Sequence, residues 1–306
     1  MPRARKPLRV LLAGASGLIG RELVRQLRED GDEAVQLVRR PATAADERTW
    51  DPGSGTVDAE LLAGFDAIVN LAGASIGRIP WTPAYRREIR ESRIVPTTVL
   101  AEALARISPA ARRPKTLITA SAAGFYGDRP GQRLTEFDEQ GKGWLPQVVA
   151  DWEAASRLAP RGVRVVQART AVVVARTGGL APVRTLTGVG LGSRFGSGGQ
   201  HWPWISLHDE AAAIRHLLRS KLAGPVNLAG PTPATSDRVT HEFARALHRP
   251  YLFTVPSWGI RLLGEAGQRL LLDSMLMVPD RLMADGFRWQ HETVEAAILA
   301  ALKKRS

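Results

Sequence analysis

The feature that most constrains this chain is a glycine-rich turn near its N-terminus. An apolar run at residues 8–12 precedes Gly14, Gly17 and Gly20, and apolar residues at helical spacing follow. This pattern predicts a strand, a tight turn and a helix, whose free N–H groups can bind a pyrophosphate. A bare structural turn is the alternative. A second apolar strand at residues 34–38 lies at the right distance to meet an adenosine ribose, so we predict a dinucleotide-binding βαβ unit.

The predicted cofactor site has two parts. In the glycine loop, the predicted contacts are Gly14, Ser16, Gly17, Leu18, Ile19 and Gly20. A third buried strand begins at residue 65 and ends in Leu71, Ala72 and Gly73. Small side chains there leave room for a ribose and pyrophosphate at the C-terminal edge of the sheet, where open α/β sheets bind ligands.

Two arginines indicate which dinucleotide is bound. Arg39 and Arg40 follow the second strand, at the point where a carboxylate is expected if the partner is a 2′-hydroxyl. A guanidinium offers paired donors to a 2′-phosphate, so we predict NADP (NADPH) over NAD. Solvation of both arginines at a strand end is the alternative. Asp51 either reaches the adenine amine or forms a turn before Pro52.

The composition limits the class of protein. The chain has 306 residues, 44% of them hydrophobic and 24% charged, which is ordinary for a globular fold. No apolar run is long enough to span a bilayer, and the basic segment at residues 1–6 leads into a strand rather than a cleavage site. The chain contains no cysteine, which excludes disulfides and thiol catalysis. We therefore expect a cytoplasmic protein that does not bind membranes.

The formal net charge of +12 is compatible with nucleic-acid binding, because basic surfaces attract phosphates. The arginines are scattered, without interleaved aromatic residues or a dense basic block, so we expect no nucleic-acid partner. The six histidines show no spacing typical of a metal site, and we expect no metal. The expected partner is a small-molecule substrate, and the chain is expected to be a monomer or a homodimer.

Several motifs together resemble the extended short-chain dehydrogenase/reductase superfamily. They are Gly-Ala-Ser-Gly-Leu-Ile-Gly at residues 14–20, Asn-Leu-Ala-Gly at 70–73, and a strand that runs through Ser121 to Tyr126-Gly127. The resemblance implies that the Ser121 hydroxyl polarises a substrate carbonyl or alcohol. A capping role for Ser121 is the alternative. Arg93 replaces the asparagine of the superfamily's water relay.

The chain departs from that superfamily at its proton-transfer pair. Extended enzymes carry a second tyrosine with a lysine four positions later, but the helix here reads Gln-Val-Val-Ala-Asp-Trp-Glu at residues 147–153. Tyr126 is then the best remaining phenol for proton exchange, although it matches the superfamily's structural Tyr-Gly. Together with Asp-Trp-Glu, this departure resembles an atypical extended group, the NAD-dependent epimerase/dehydratase-like proteins of epimerase family 39U.

The predicted fold class is α/β, a doubly wound parallel sheet of the Rossmann type with a GxxGxxG loop and a smaller C-terminal substrate lobe. We place the dinucleotide-binding domain at residues 1–176, joined by a return segment at 205–229. The substrate lobe spans 177–306, mainly 177–204 and 230–306. The glycine-rich stretch at 177–204 predicts a mobile flap over a ligand, or else a long surface loop.

The predicted function is that of an NADP-dependent oxidoreductase or epimerase/dehydratase-like enzyme acting on a small carbonyl or alcohol, with Ser121 and Tyr126 as catalytic residues. The missing Tyr/Lys pair favours an alternative, an NADP(H)-binding sensor or scaffold with little or no catalysis. The expected second concave surface favours the enzyme. A strict sugar-nucleotide epimerase, which needs a proton shuttle, is the least favoured of the enzymes.

Overall fold

The computed structural model describes residues 6–303. Residues 1–5 of the basic segment, where the predicted dinucleotide-binding domain begins, and residues 304–306, where the predicted substrate lobe ends, lie outside the described residues. The strands are β1 Arg9–Ala13, β2 Glu33–Val38, β3 Glu47–Thr49, β4 Ala67–Asn70, β5 Thr116–Ala122, β6 Arg129–Leu134, β7 Arg164–Thr170, β8 Val172–Val174, β9 Gly192–Phe195, β10 Trp204–Ser206, β11 Gly224–Leu228, β12 Tyr251–Val255 and β13 Met275–Met277.

The helices are α1 Leu18–Glu29, α2 Pro83–Arg106, α3 Trp144–Ser156, α4 Ala181–Gly188, α5 Leu207–Arg219, α6 Ser236–Ala246, α7 Ser257–Arg261, α8 Gly264–Gly267, α9 Asp280–Ala284 and α10 Val294–Leu302. Short 3₁₀ turns lie at Pro52–Ser54, Ala59–Leu62 and Ala123–Phe125, and a π-helical turn lies at Gln268–Leu272. No helix among residues 6–303 combines the length and the apolar character that crossing a membrane requires.

Seven strands form one parallel sheet in the order β11-β7-β5-β4-β1-β2-β3. In this register Ala13, the last residue of β1, lies beside Leu37 of β2 and Asn70 of β4. The chain runs from β1 to β2 on one side and returns to β4 on the other, so the order reverses between β1 and β4. Doubly wound sheets bind ligands at the point where the strand order reverses. The strand order therefore confirms the predicted fold class.

The alternation of side chains along β1 fills a core on each face of the sheet. Val10 and Leu12 pack in one cluster with Leu23 of α1 and Leu217 of α5. Leu11 belongs to the opposite cluster, which includes apolar residues of α2. Both faces of the sheet are therefore covered, as a parallel sheet requires.

A third apolar cluster supports the C-terminal part of the chain. It joins residues of β8, α4, β10, α6 and α10, among them Val174, Val183, Trp204, Phe243 and Ile298. The prediction of a long surface loop at residues 177–204 is wrong, because this stretch contains α4 and β9 and buries several of its apolar side chains. A flap over a ligand stays a prediction. The many glycines in this stretch led to the loop prediction, although its buried apolar side chains hold it in a defined structure. The division into domains stays a prediction.

Candidate active site

The glycine turn is built so tightly that side chains are excluded at two positions. Gly14 has φ +78°, and a Cβ atom there would stand 2.6 Å from the carbonyl carbon of Leu71. A Cβ on Gly20 would stand 2.3 Å from the oxygen of Gly14. The turn thereby brings β1, the start of α1 and the end of β4 into close contact, which is the geometry that the predicted dinucleotide site needs.

The N-terminus of α1 has no side-chain cap, which it shares with α3 among the long helices of residues 6–303. Its N-cap residue is Gly17, with no side-chain hydrogen bond and no acidic residue in the first turn. By contrast, Thr82 caps α2, Ser206 caps α5 and Thr235 caps α6. The first N–H groups of a helix need acceptors, and a phosphate supplies them. This helix end therefore fits a pyrophosphate.

The remaining predicted loop residues lie at the same place. Ser16 is exposed, and Leu18 and Ile19 are partly exposed, at the entrance to α1. The carbonyl of Ser16 accepts a hydrogen bond of 2.6 Å from Arg21. The side chain of Leu18 lies 3.0 Å from the position that a Cβ on Gly178 would occupy. The C-terminal segment thus reaches the loop at this edge.

The two arginines after β2 differ in their surroundings. Arg40 forms a fork with Glu47, with N–O distances of 2.6 and 2.9 Å. The hydrogen bond from Arg40, together with one from the Thr43 backbone, lowers the pKa of Glu47 to about 2. Arg39 is exposed, and within residues 6–303 no side-chain partner engages it. Asp51 accepts a bond from the Gly53 N–H at 2.8 Å, as a turn-forming aspartate does.

The turn after β4 is fixed by buried polar groups. Asn70 accepts a hydrogen bond from the Ala72 N–H at 3.1 Å and donates one to Thr97 at 2.9 Å. The next residues of the turn are Leu71, Ala72 and Gly73, all partly or fully exposed. Arg93 of α2 donates to the carbonyl of Ala74 at 2.8 Å. The turn therefore keeps one shape beside the glycine loop.

Ser121 lies near the end of β5 in a buried ionic network. Its hydroxyl donates to Glu153 of α3 at 2.7 Å. The same carboxylate binds Arg169 of β7 through two bonds of 2.8 and 3.0 Å. The side chains of Arg169 and Glu153 are 4% and 5% exposed. Because Glu153 accepts the hydrogen bond that the Ser121 hydroxyl donates, the hydroxyl is held in one orientation.

Tyr126 belongs to the same network. Its hydroxyl donates to Asn227 at 2.6 Å and accepts a bond from Arg169 at 3.0 Å, and the side chain is fully buried. Burial raises the pKa of Tyr126 to about 12, against the opposing effect of Arg169. The structure thus links Ser121 and Tyr126 through Arg169. Their catalytic roles stay predictions, and the burial of Tyr126 favours positioning over proton exchange.

Sequence reasoning missed the charged pair at the centre of this network. Glu153 enters the sequence prediction only as part of the Asp-Trp-Glu motif, and Arg169 is not among the predicted site residues. One signal was available: Glu153 lies four residues after Val149 and next to Trp152, on a face of α3 that is otherwise buried. A charge on such a face needs a buried partner, but helical spacing does not say which residue supplies it.

The structure also brings together three residues that the sequence spacing did not group. Ligand atoms of His208, Asp209 and His291 lie within 4.8 Å of one another. Both Asp209 oxygens already accept hydrogen bonds, from Ser206 and the His291 N–H on one side and from the Gln290 N–H on the other. This arrangement attaches the segment before α10 to the start of α5. The expectation of no metal stays a prediction.

A polar cavity of about 500 Å³ lies between the start of β6 and the C-terminal part of the chain. Asp128, Gln200, His201, Arg261 and Ser274 are among its lining residues. None of the predicted cofactor or catalytic residues lines this cavity.

Comparisons with known proteins agree with this geometry. The model described as "NAD dependent epimerase/dehydratase family" matches residues 10–147, and "Domain of unknown function (DUF1731)" matches residues 255–301. An epimerase family protein of Mycobacterium bovis is 42% identical over 94% of this chain and 96% of its own length. The epimerase family protein SDR39U1 of Bos taurus is 33% identical over 95% and 98%.

A crystal structure of human SDR39U1 with NADPH superposes with a TM-score of 0.88 at 29% identity, covering 96% of this chain and 99% of that one. The matches extend over the sheet, the glycine loop and the C-terminal segment. The chain therefore belongs to the NAD-dependent epimerase/dehydratase family and, within it, to the epimerase family proteins related to SDR39U1.

Proposed function

We propose that this protein is an NADP-dependent oxidoreductase or epimerase/dehydratase-like enzyme that acts on a small carbonyl or alcohol. The observation that carries the proposal is the uncapped N-terminus of α1, which follows a glycine turn too tight for side chains and lies at the switch point of the sheet. Such an end binds the pyrophosphate through backbone N–H groups. The residues that hold it are Gly14 to Gly20, with Leu71, Ala72 and Gly73 opposite.

The preference for NADP rests on Arg39. Its guanidinium is exposed at the end of β2 and has no carboxylate partner among the residues that the structure describes. Arg40 contributes less to the 2′-phosphate, because Glu47 already takes two of its donors. The human relative is described with NADPH, which agrees with this choice.

The catalytic proposal follows from the network around Ser121. Bound NADPH supplies a hydride for a carbonyl carbon. Ser121 then orients the reacting oxygen, and Glu153 fixes the direction of its hydroxyl. Tyr126 and Arg169 hold Glu153 and the end of β7 in place. Since a valine of residues 148–149 and Trp152 stand at or near the positions where the resemblance calls for tyrosine and lysine, the reaction differs in its proton transfer from that of the typical extended enzymes.

The proposal is tested by fluorescence titration with NADPH and with NADH. We expect the wild-type protein to bind NADPH tightly. Arg39→Ala should lower the affinity for NADPH about 10- to 100-fold, because a hydrogen bond to a charged group contributes about 1.5–3 kcal/mol. Arg40→Ala should lower it less. Affinity for NADH should not change in either variant. Arg157→Ala is the control, because Arg157 is exposed beyond the end of α3, a helix that packs against β5 and β7 rather than against β2.

Equal affinity of the wild-type protein for both dinucleotides would remove the argument from Arg39. If neither binds, the proposed function fails. Turnover of carbonyl substrates that Ser121→Ala abolishes without loss of NADPH affinity supports the enzyme, whereas tight binding without turnover supports the sensor or scaffold.

A further inference from the structure

Arg93 is a half-buried cation beside the predicted cofactor turn. It lies on α2, and its guanidinium donates to the carbonyls of Ile89 and Ala74, both at 2.8 Å. Its side chain lies 3.4 Å from the position that a Cβ on Gly73 would occupy. The guanidinium carbon is 5.4 Å from the centre of the Trp152 ring. Arg93 thus touches both the turn after β4 and the helix that carries Glu153.

Among the residues that the structure describes, no carboxylate compensates this charge. Within residues 6–303, no Asp or Glu lies at ion-pair distance from Arg93, whereas the buried guanidinium of Arg169 has Glu153. Burial removes water from the charged guanidinium of Arg93 and lowers its pKa to about 10. Carbonyl oxygens accept its hydrogen bonds but do not neutralise it. A desolvated charge of this kind is costly unless an opposite charge pairs with it.

The guanidinium also has unused donors. Arginine carries five N–H groups in a planar fork, and the residues that the structure describes accept hydrogen bonds from two of those of Arg93. Such a fork matches the oxygens of a carboxylate or a phosphate better than any other side chain does. The bonds to Ile89 and Ala74 hold the group in place before a ligand arrives.

We propose that Arg93 binds an oxyanion, a phosphate or a carboxylate, of a ligand held at the Leu71–Gly73 turn. The anion comes either from the cofactor's phosphates or from an acidic group of the substrate. The inference rests on the proposed function in placing the dinucleotide at this turn. It deepens that function, because the second source makes the substrate an anion.

The first test uses variants on α2. Arg93→Gln removes the charge and keeps hydrogen-bonding capacity, while Arg93→Lys keeps the charge without the fork. Arg90→Gln is the matched control, because Arg90 lies one turn earlier and pairs with Asp151 at the surface. NADPH affinity is measured for each. Inorganic pyrophosphate and succinate are then titrated by calorimetry into the NADPH-saturated protein.

If the cofactor supplies the anion, Arg93→Gln binds NADPH about 10- to 100-fold more weakly than the wild type, and Arg90→Gln does not. If the substrate supplies it, NADPH affinity stays the same, but the saturated wild-type protein binds succinate or pyrophosphate and Arg93→Gln does not. Arg93→Lys should fall between the two. The proposal is overturned if Arg93→Gln has wild-type affinity for all three ligands.

A second measurement needs no variant. Phenylglyoxal modifies accessible arginines, and mass spectrometry follows the rate at Arg93 in the wild-type protein. NADPH, pyrophosphate or succinate should slow this rate at least several-fold while that at Arg157 stays constant. If none of the three protects Arg93, its role is confined to holding Ala74. Should NADPH fail to bind at all, the proposed function fails, and protection by pyrophosphate or succinate in the apo-protein still decides the role of Arg93.

Discussion

At the residue scale, the buried pair of Arg169 and Glu153 determines what Ser121 and Tyr126 can do. The pair receives hydrogen bonds from Ser121 and is connected through Tyr126 to Asn227. Arg169 also stacks at 3.5 Å over the ring of Phe125. A network satisfied in this way rigidifies the carboxyl ends of β5 and β7, which flank the proposed substrate position.

Removing one charge of the pair leaves the other buried and uncompensated. We expect Glu153→Gln to lower the free energy of unfolding by about 3–5 kcal/mol, measured by urea denaturation. Glu29→Gln is the control, since Glu29 is 59% exposed and pairs with Arg25 at the surface, where the loss should stay below about 1 kcal/mol. Equal losses in the two variants would contradict the structural role given to Glu153.

Glu210 predicts a pH dependence of stability. Its side chain is fully buried at the start of α5, and one oxygen accepts a bond from Thr170 at 2.8 Å. Burial raises its pKa from 4.5 to about 8. The folded protein therefore keeps a proton that the unfolded chain releases, so this contribution is complete below pH 4.5 and is lost as the pH rises towards 8.

The measurement compares the wild type with Glu210→Gln by urea unfolding at pH 5 and pH 8.5. We expect the wild type to lose more stability than the variant over this interval. The difference is on the order of a few kcal/mol, because each pKa unit corresponds to about 1.4 kcal/mol. Parallel changes in both proteins would show that Glu210 does not titrate in this range.

At the element scale, the strand, turn and helix at the N-terminus are confirmed as β1, the glycine turn and α1. Here local sequence is sufficient, because only glycine tolerates φ +78° and the close approach at Gly20. The stretch at 177–204 shows the limit of the same reasoning. Its glycines predicted a loop, but packing of Leu180 and Trp202 into the third cluster orders α4 and β9.

The glycine turn gives a test at this scale. We expect Gly20→Ala to push α1 away from β1, because the new methyl group would meet the Gly14 oxygen at 2.3 Å. The variant should unfold at lower temperature and bind NADPH more weakly. Gly188→Ala in α4 is the control: nothing lies within 4 Å of its Cβ position, so it should be neutral or stabilise by up to about 1 kcal/mol. Similar behaviour of both variants would refute the packing argument.

At the scale of the whole molecule, cofactor binding should stabilise the fold. The proposed site joins β1, α1, β2 and β4, so an unfolded chain lacks it. At a concentration of NADPH 100 times its Kd, we expect a gain of about 2.7 kcal/mol and a rise of several degrees in the Tm. NADH at the same concentration should produce a smaller shift. Differential scanning calorimetry measures both, and identical shifts would contradict the NADP preference.

The sequence by itself determined the parallel sheet, the glycine turn and the edge of the sheet at which the cofactor residues gather. These features depend on short-range rules, the period of apolar residues and the conformational freedom of glycine. The tertiary structure decided that Glu47 engages Arg40, that Glu153 and Arg169 connect Ser121 with Tyr126, and that Arg93 has no acidic partner within residues 6–303. Charge pairs between distant elements follow from which side chains the fold brings together and shields from water, and no local pattern encodes that proximity.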